Sequence, residues 1–309
     1  MTNVSLQAAV GLHHVPRGKL ITGGLLALVS VSIWAIWIVG TRQAMTVDLP
    51  LGWVGMIRFG LPALVLLPWW WKVGLLPKGV DWRLVALMVI GSGAPFLVVV
   101  ATGMRFAEAA EVGVLLPGTM PLFVALLSAI VDGERFTPSR LVGLALAVAA
   151  MAAIGGPALL SGQGIGFLLV PAGAFLWAVY TLAFRRADLD PAAAAGVIAA
   201  WSTILLLPLA LMESPADLLR AGPAVFVGQL VSQFVLSGVV ALVCYGAAVR
   251  MLGSSRAAIF SALAPALAAL IAVPWLGEVP TALTIAGIVL AVAGVALGSG
   301  AVGFGRRSR

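Results

Sequence analysis

Residues 120–156 read MPLFVALLSAIVDGERFTPSRLVGLALAVAAMAAIGG, and residues 264–300 read APALAALIAVPWLGEVPTALTIAGIVLAVAGVALGSG. Shifted by 144 positions, the two align without a gap, and 13 of 37 positions are identical. Ala, Leu and Val matches are common in so apolar a chain. The matches of Pro121 with Pro265, Gly133-Glu134 with Gly277-Glu278, Thr137 with Thr281 and Gly143 with Gly287 are not. A fixed offset of this kind is an internal repeat, which decides the architecture before any element does. In each copy an apolar run ends at Gly-Glu, a Thr follows three residues later, and a second apolar run begins. Thr offers a helix N-cap, and Pro138 suits the first helical position. Each copy therefore reads as two helices joined by a tight hairpin, with Glu134 and Glu278 as hairpin residues.

Composition places the hairpins in a membrane. The chain is 62% hydrophobic and 9% charged, with mean hydropathy +1.13, whereas soluble domains carry roughly 25% charged residues. Runs such as Leu20–Thr41, Pro191–Met212 and Ala221–Val249 contain no Asp, Glu, Lys or Arg, and Leu141–Phe184 is charge-free for 44 residues. A membrane-spanning helix needs about 20 such residues. Ten spans are expected, at 20–41, 51–71, 84–104, 107–131, 138–156, 165–184, 191–212, 223–249, 255–276 and 281–300. The first apolar run is long and lacks a small-x-small cleavage site, so it reads as a span rather than a cleaved signal. The single cysteine, Cys244, excludes an intrachain disulfide and a Cys-rich metal site. His13 and His14 lie in the N-terminal tail, where a solvated role is expected.

Placing the N-terminus inside puts 14 of the 18 Lys and Arg residues on the inner side. They are Arg17, Lys19, Lys72, Lys78, Arg83, Arg135, Arg140, Arg185, Arg186, Arg250, Arg256, Arg306, Arg307 and Arg309. Arg42, Arg105 and Arg220 fall outside, and Arg58 lies within a span. This asymmetry predicts cytoplasmic termini and accounts for the net charge of +7 without nucleic acid. Trp34, Ala35, Trp37 and Arg42 also match Trp177, Ala178, Tyr180 and Arg185 at an offset of 143. Spans one to five thus recur as six to ten. Five is odd, so the copies cross in opposite senses, a device of secondary transporters whose site lies near the midplane between the halves. The expected organisation is a tail at 1–19, a five-helix repeat at 20–156, its inverted copy at 165–300 and a basic tail at 301–309.

The Trp-bearing first and sixth spans, the Pro in spans four and nine and the Gly-Glu hairpins make residues 20–300 resemble the EamA-type, ten-helix exporters of the drug/metabolite transporter superfamily. Among such proteins it is similar to the YddG-type exporters of aromatic amino acids. The resemblance implies two inverted five-helix halves around a central cavity in a bacterial inner membrane, exporting small metabolites.

The chemistry in the spans is aromatic and small. Trp34 and Trp37 share a helix face, as do Trp177 and Tyr180, and all four are candidates to line a cavity and stack on substrate. Interfacial belt residues are the alternative, although Trp34 lies fourteen residues into its span; Met45, Trp69, Trp70 and Trp71 at span ends fit a belt better. Phe96, Ser237, Tyr245 and Ser261 complete the expected substrate-binding set. Buried hydroxyls and amides, including Gln229, Ser232 and Gln233, could equally join helices. Pro95, Pro117, Gly118, Pro121 and Pro265 mark helix breaks, serving as hinges or as packing kinks. Arg58, Arg105, Glu108 and Glu111 gather at the outer side. Because a charge within a span is usually paired or functional, Arg58 is expected to pair with Glu108 or Glu111, a gate or carboxylate-binding role being the alternative.

No lysine follows a phosphate-binding loop, no span holds a His, and no Gly-x-Ser-x-Gly is present. Hence no enzyme, cofactor or metal is expected. Spans one and six lack the embedded acid of lipophilic-cation exporters, and Arg58 alone is thin support for a phosphate. The expectation is a secondary exporter of neutral or zwitterionic metabolites, amino acids foremost, acting as a monomer in the bilayer. A multidrug exporter of the same fold and a non-transporting scaffold or lipid-handling protein are the alternatives.

Overall fold

The structure, a computed structural model, describes residues 17–133, 136–160, 164–252 and 260–298. Their regular structure is helical, with no strand among the described residues. Helices are what an apolar chain must form in lipid, because each backbone N–H and C=O then finds its partner within one segment.

The helices are α1 (Arg17–Thr46), α2 (Leu51–Val65 with Leu67–Val73), α3 (Trp82–Gly103), α4 (Ala109–Asp132), α5 (Pro138–Leu160), α6 (Gly164–Ala187), α7 (Pro191–Met212), α8 (Pro223–Leu252), α9 (Ala264–Leu276) and α10 (Ala282–Gly298). Seven are long and apolar enough to cross a membrane. The two parts of α2 meet at 75° and make one more span if taken together, while α9 and α10 are shorter apolar helices. Residues 255–259 of the expected ninth span, both tails, Glu134 and Arg135 lie outside the described residues.

Helix ends follow local chemistry. Asp81 caps α3 by accepting from Arg83 N–H at 2.9 Å, and Asp190 caps α7 by accepting from the N–H groups of Ala192 and Ala193 at 3.0 Å. The two hairpins match in detail. Gly133 (φ +69°) and Gly277 (φ +72°) end α4 and α9 in the left-handed conformation that glycine adopts without strain. Thr137 and Thr281 then accept from Arg140 N–H and Thr284 N–H at 3.3 and 3.1 Å.

The helix packing repeats too. α5 runs along α10, α1 along α8 and α9, α6 along α3 and α4, α4 against α9 and α2 against α7. Exchanging helices one to five with six to ten returns the same set of contacts. Small residues set the closest approaches. A Cβ on Gly143 of α5 would lie 2.6 Å from the Gly294 carbonyl oxygen and 2.7 Å from Gly298 N. One on Gly91 of α3 would lie 2.6 Å from Tyr180 N of α6. Small side chains are what allow membrane helices to approach this closely.

Candidate functional site

α3 and α4 are both broken at candidate site residues. α3 breaks at Gly93, and Pro95 takes the second position of the following helical segment, where its missing N–H costs nothing. The Ala94 N–H left free by the break donates to Ser202 Oγ of α7 at 3.0 Å. α4 breaks over Leu116–Thr119, around Pro117 and Gly118, and resumes with Pro121 at its second position. Pro265 holds the same place in α9. Pro95, Pro121 and Pro265 thus each stand at the second position of a helical segment, whereas Pro117 lies within the break of α4.

The break in α3 turns Phe96 inward, where it is 1% exposed. Its ring stacks on Trp37 of α1 at 6.1 Å and tilts against Trp177 of α6 at 5.4 Å. Trp177 meets Tyr180 edge-on at 5.1 Å, and Tyr180 stacks on Phe184 at 5.8 Å. One continuous series of rings thus joins the two tryptophan-bearing helices. Trp37, not Trp34, carries it on α1. Trp34 is half-buried and tilts against Tyr245 of α8 at 5.1 Å. Phe96 was not singled out by the repeat; it is the third residue of the segment after the break in α3. Met45, expected in a belt, is buried at 3% exposure. Trp70 is partly buried and donates its indole N–H to the Ala63 carbonyl at 2.7 Å, which leaves Trp69 and Trp71 on the outside.

The polar candidates divide. Gln229 Nε2 donates to the Gly40 carbonyl at 2.8 Å, and Gln233 Nε2 to Thr41 Oγ1 at 2.9 Å, so both join α8 to α1. Ser237 donates to the Ser232 and Gln233 carbonyls of its own helix. Ser261 borders a half-open cavity of about 390 Å3 between α4, α5 and α10. Gly118, Pro121, Arg140 and Gly143 also line this cavity, and none of the aromatic candidates does.

The expected ion pair of Arg58 with Glu108 or Glu111 is not formed. Glu108 and Glu111 are occupied with each other's backbone at the start of α4, where Glu108 N–H donates to Glu111 Oε2 at 3.0 Å in a capping box. Arg58 sits in a π-helical turn, Met56–Gly60, with its guanidinium carbon 4.7 Å from the centre of the Trp37 ring and 5.6 Å from that of Phe59. Arg105 pairs instead with Asp48 at 3.5 Å on the exposed surface.

Glu278 is more than a hairpin residue. Its Oε1 lies 2.7 Å from Arg42 Nε, and its Oε2 accepts from Ala109 N–H at 2.7 Å. Arg42 also donates to the Met104 carbonyl. Both side chains of this pair are shielded, at 14% and 13% exposure. Sequence reasoning left Arg42 and Glu278 unconnected. The signal was there, since Arg42 matches Arg185 at nearly the offset at which Glu278 matches Glu134.

The EamA-like transporter family matches residues 21–156 and, in a second copy, residues 164–300. An uncharacterized transporter of Archaeoglobus fulgidus is 30% identical over 78% of this chain and 84% of its own length. A probable terminal-alkyne amino-acid exporter of Streptantibioticus cattleyicolor is 30% identical over 72% of this chain and 74% of its own. A probable amino-acid metabolite efflux pump of Salmonella typhimurium is 27% identical over 93% and 86%. A crystal structure with 19% sequence identity superposes with a TM-score of 0.63 over 94% of this chain and 99% of its own, which speaks to the fold.

Proposed function

The chain belongs to the EamA-like transporter family, and from that membership we propose a secondary transporter that exports small neutral or zwitterionic metabolites, above all amino acids with aromatic or other apolar side chains. The observation that carries this reading is the series of rings from Trp37 through Phe96 and Trp177 to Tyr180, which lies between the two repeats. Ring faces and edges stack on an apolar or aromatic solute without fixing a charge. The descriptions of two relatives as amino-acid or amino-acid-metabolite exporters support the same class of substrate.

In this reading α9 and α10 complete ten spans, the repeats run in opposite senses, both termini lie in the cytoplasm, and the membrane is a bacterial inner membrane. The halves rock about the central site, exposing it alternately to each side. The breaks at Gly93, Pro117-Gly118 and before Pro265 supply the points where backbone can turn.

Counterflow in proteoliposomes tests the proposal. Radiolabelled phenylalanine or tryptophan should exchange against the same unlabelled solute. Trp34→Ala should weaken that exchange several-fold while leaving the unfolding temperature nearly unchanged, because Trp34 is half-buried and tilts against Tyr245 outside the ring series. Exchange of drugs but of no amino acid would transfer the chain to the multidrug class. Absence of any exchange, with positions 34 and 177 closed to aqueous thiol reagents as cysteines, would favour the scaffold reading.

A further inference from the structure

Among the described residues six buried side-chain atoms lack a hydrogen-bond partner; Asp217 Oδ1 is ion-paired with Arg220, and the other five belong to four residues: Trp37 Nε1, Arg58 Nε and Nη1, Ser232 Oγ and Gln233 Oε1. The elements that carry these residues meet at one junction. Trp37 is on α1, Arg58 on the π-helical turn of α2, and Ser232 and Gln233 on a π-helical segment of α8, Leu230–Val240. The two π segments pack on each other, the second also packs on α1, and the Arg58 guanidinium lies over the Trp37 ring. π-helical turns are rare and concentrate at functional sites. Two of them are in contact, and the second carries its own unsatisfied atoms on Ser232 and Gln233, an observation independent of Arg58 itself.

The charge on Arg58 lacks an answer. A ring face attracts a cation, but it accepts none of the guanidinium N–H groups. A buried polar donor without a partner is costly, and a buried charge more so. Glu108, Glu111 and Glu278 are engaged elsewhere. Among the described residues, none of these three carboxylates answers the guanidinium.

We propose that Arg58 binds the carboxylate of the transported solute, seated at the junction of α1, α2 and α8. The inference rests on the amino-acid export reading and sharpens it. A carboxylate is planar and presents two acceptor oxygens to the planar guanidinium, and the indole N–H of Trp37 is a further unpaired donor. The unpartnered side-chain Oε1 of Gln233 and the Ser232 hydroxyl offer acceptors to the ammonium of the same head group. Phe96, stacked on Trp37, places apolar surface beside it. Phosphate fits poorly, because it calls for more than one cation and Arg42 is already paired with Glu278.

The test compares three ligands on the purified full-length chain. L-phenylalanine has both charges, 3-phenylpropionate keeps only the carboxylate, and 2-phenylethylamine only the ammonium. Ligand-induced thermal stabilisation in detergent reads binding, and counterflow reads transport. Phenylalanine and 3-phenylpropionate should bind at least tenfold more tightly than 2-phenylethylamine. Arg58→Gln should lose at least tenfold affinity for both carboxylates and none for the amine, and Arg58→Lys should recover part of the loss. Without ligand, Arg58→Gln should melt no lower than the parent, since it removes an unpaired buried charge; Arg58→Lys serves as the comparison if it does.

Equal carboxylate affinity in the parent and Arg58→Gln overturns the proposal, as does failure of both carboxylates to bind the parent. The outcomes separate the two readings. Arg58-dependent binding of 3-phenylpropionate with no amino-acid counterflow retains the site and removes the amino-acid assignment. Phenylalanine counterflow unaffected by Arg58→Gln does the reverse.

Discussion

At the scale of single residues, Phe96 and Trp34 make opposite demands. Phe96 is fully buried between two tryptophans, so Phe96→Ala leaves a void that neighbouring rings cannot fill. Truncations of this kind cost roughly 3–5 kcal/mol, and Phe96→Ala should show a loss of that size in reversible unfolding from detergent, together with lost counterflow. A stable, active Phe96→Ala would mean that the ring series is not the centre of the structure. Trp34 touches one ring and should be needed for transport more than for stability. The sequence singled out the aromatic residues by their spacing at an offset of 143. It could not say that Trp37 would be the buried partner, because two tryptophans on one helix face are equivalent until neighbouring helices take their places. The same holds for Arg58. Its depth in a span was legible, but whether a carboxylate reached it depended on how α4 begins.

At the scale of elements, glycines fix how near the helices come. Gly91→Ala should be severely destabilising, since its Cβ would meet backbone of α6, including Tyr180 N at 2.6 Å, and backbone cannot rotate away. Overpacking costs about 1–3 kcal/mol where side chains can yield, and the loss here should reach or exceed the top of that range. Gly246→Ala in α8, with nothing within 4 Å of its Cβ, should be neutral or slightly stabilising through helix propensity. Thermal unfolding of the two variants separates close approach from propensity. Helix positions were largely legible: α7 spans the residues its charge-free run predicts, and both Thr caps form where expected. The 75° bend in α2 and the π-helical segments were not. No proline or glycine spacing announces a π turn, because it depends on an inserted residue finding a use in the packing.

At the scale of the molecule, Arg42 and Glu278 tie the first repeat to the second, and Glu278 reaches the first residue of α4 as well. Breaking a buried pair leaves one charge unanswered, which costs about 3–5 kcal/mol when burial is complete. With slight exposure, Arg42→Gln and Glu278→Gln should each lie near the low end, and the double variant should lose less than the sum. A charge swap, Arg42→Glu with Glu278→Arg, should restore part of the stability in a double-mutant cycle; strict additivity would show that the two side chains do not act on each other. The sequence by itself determined the class, the repeat and the hairpins, because apolar length, a fixed offset and cap chemistry are local properties that hold wherever the segment packs. The tertiary structure alone decided which rings join, that Arg58 is unpaired and that Arg42 meets Glu278 across 236 residues. Those contacts are set by how closely glycine seams let helices approach and by where broken helices turn, and neither is encoded in the residues that finally touch.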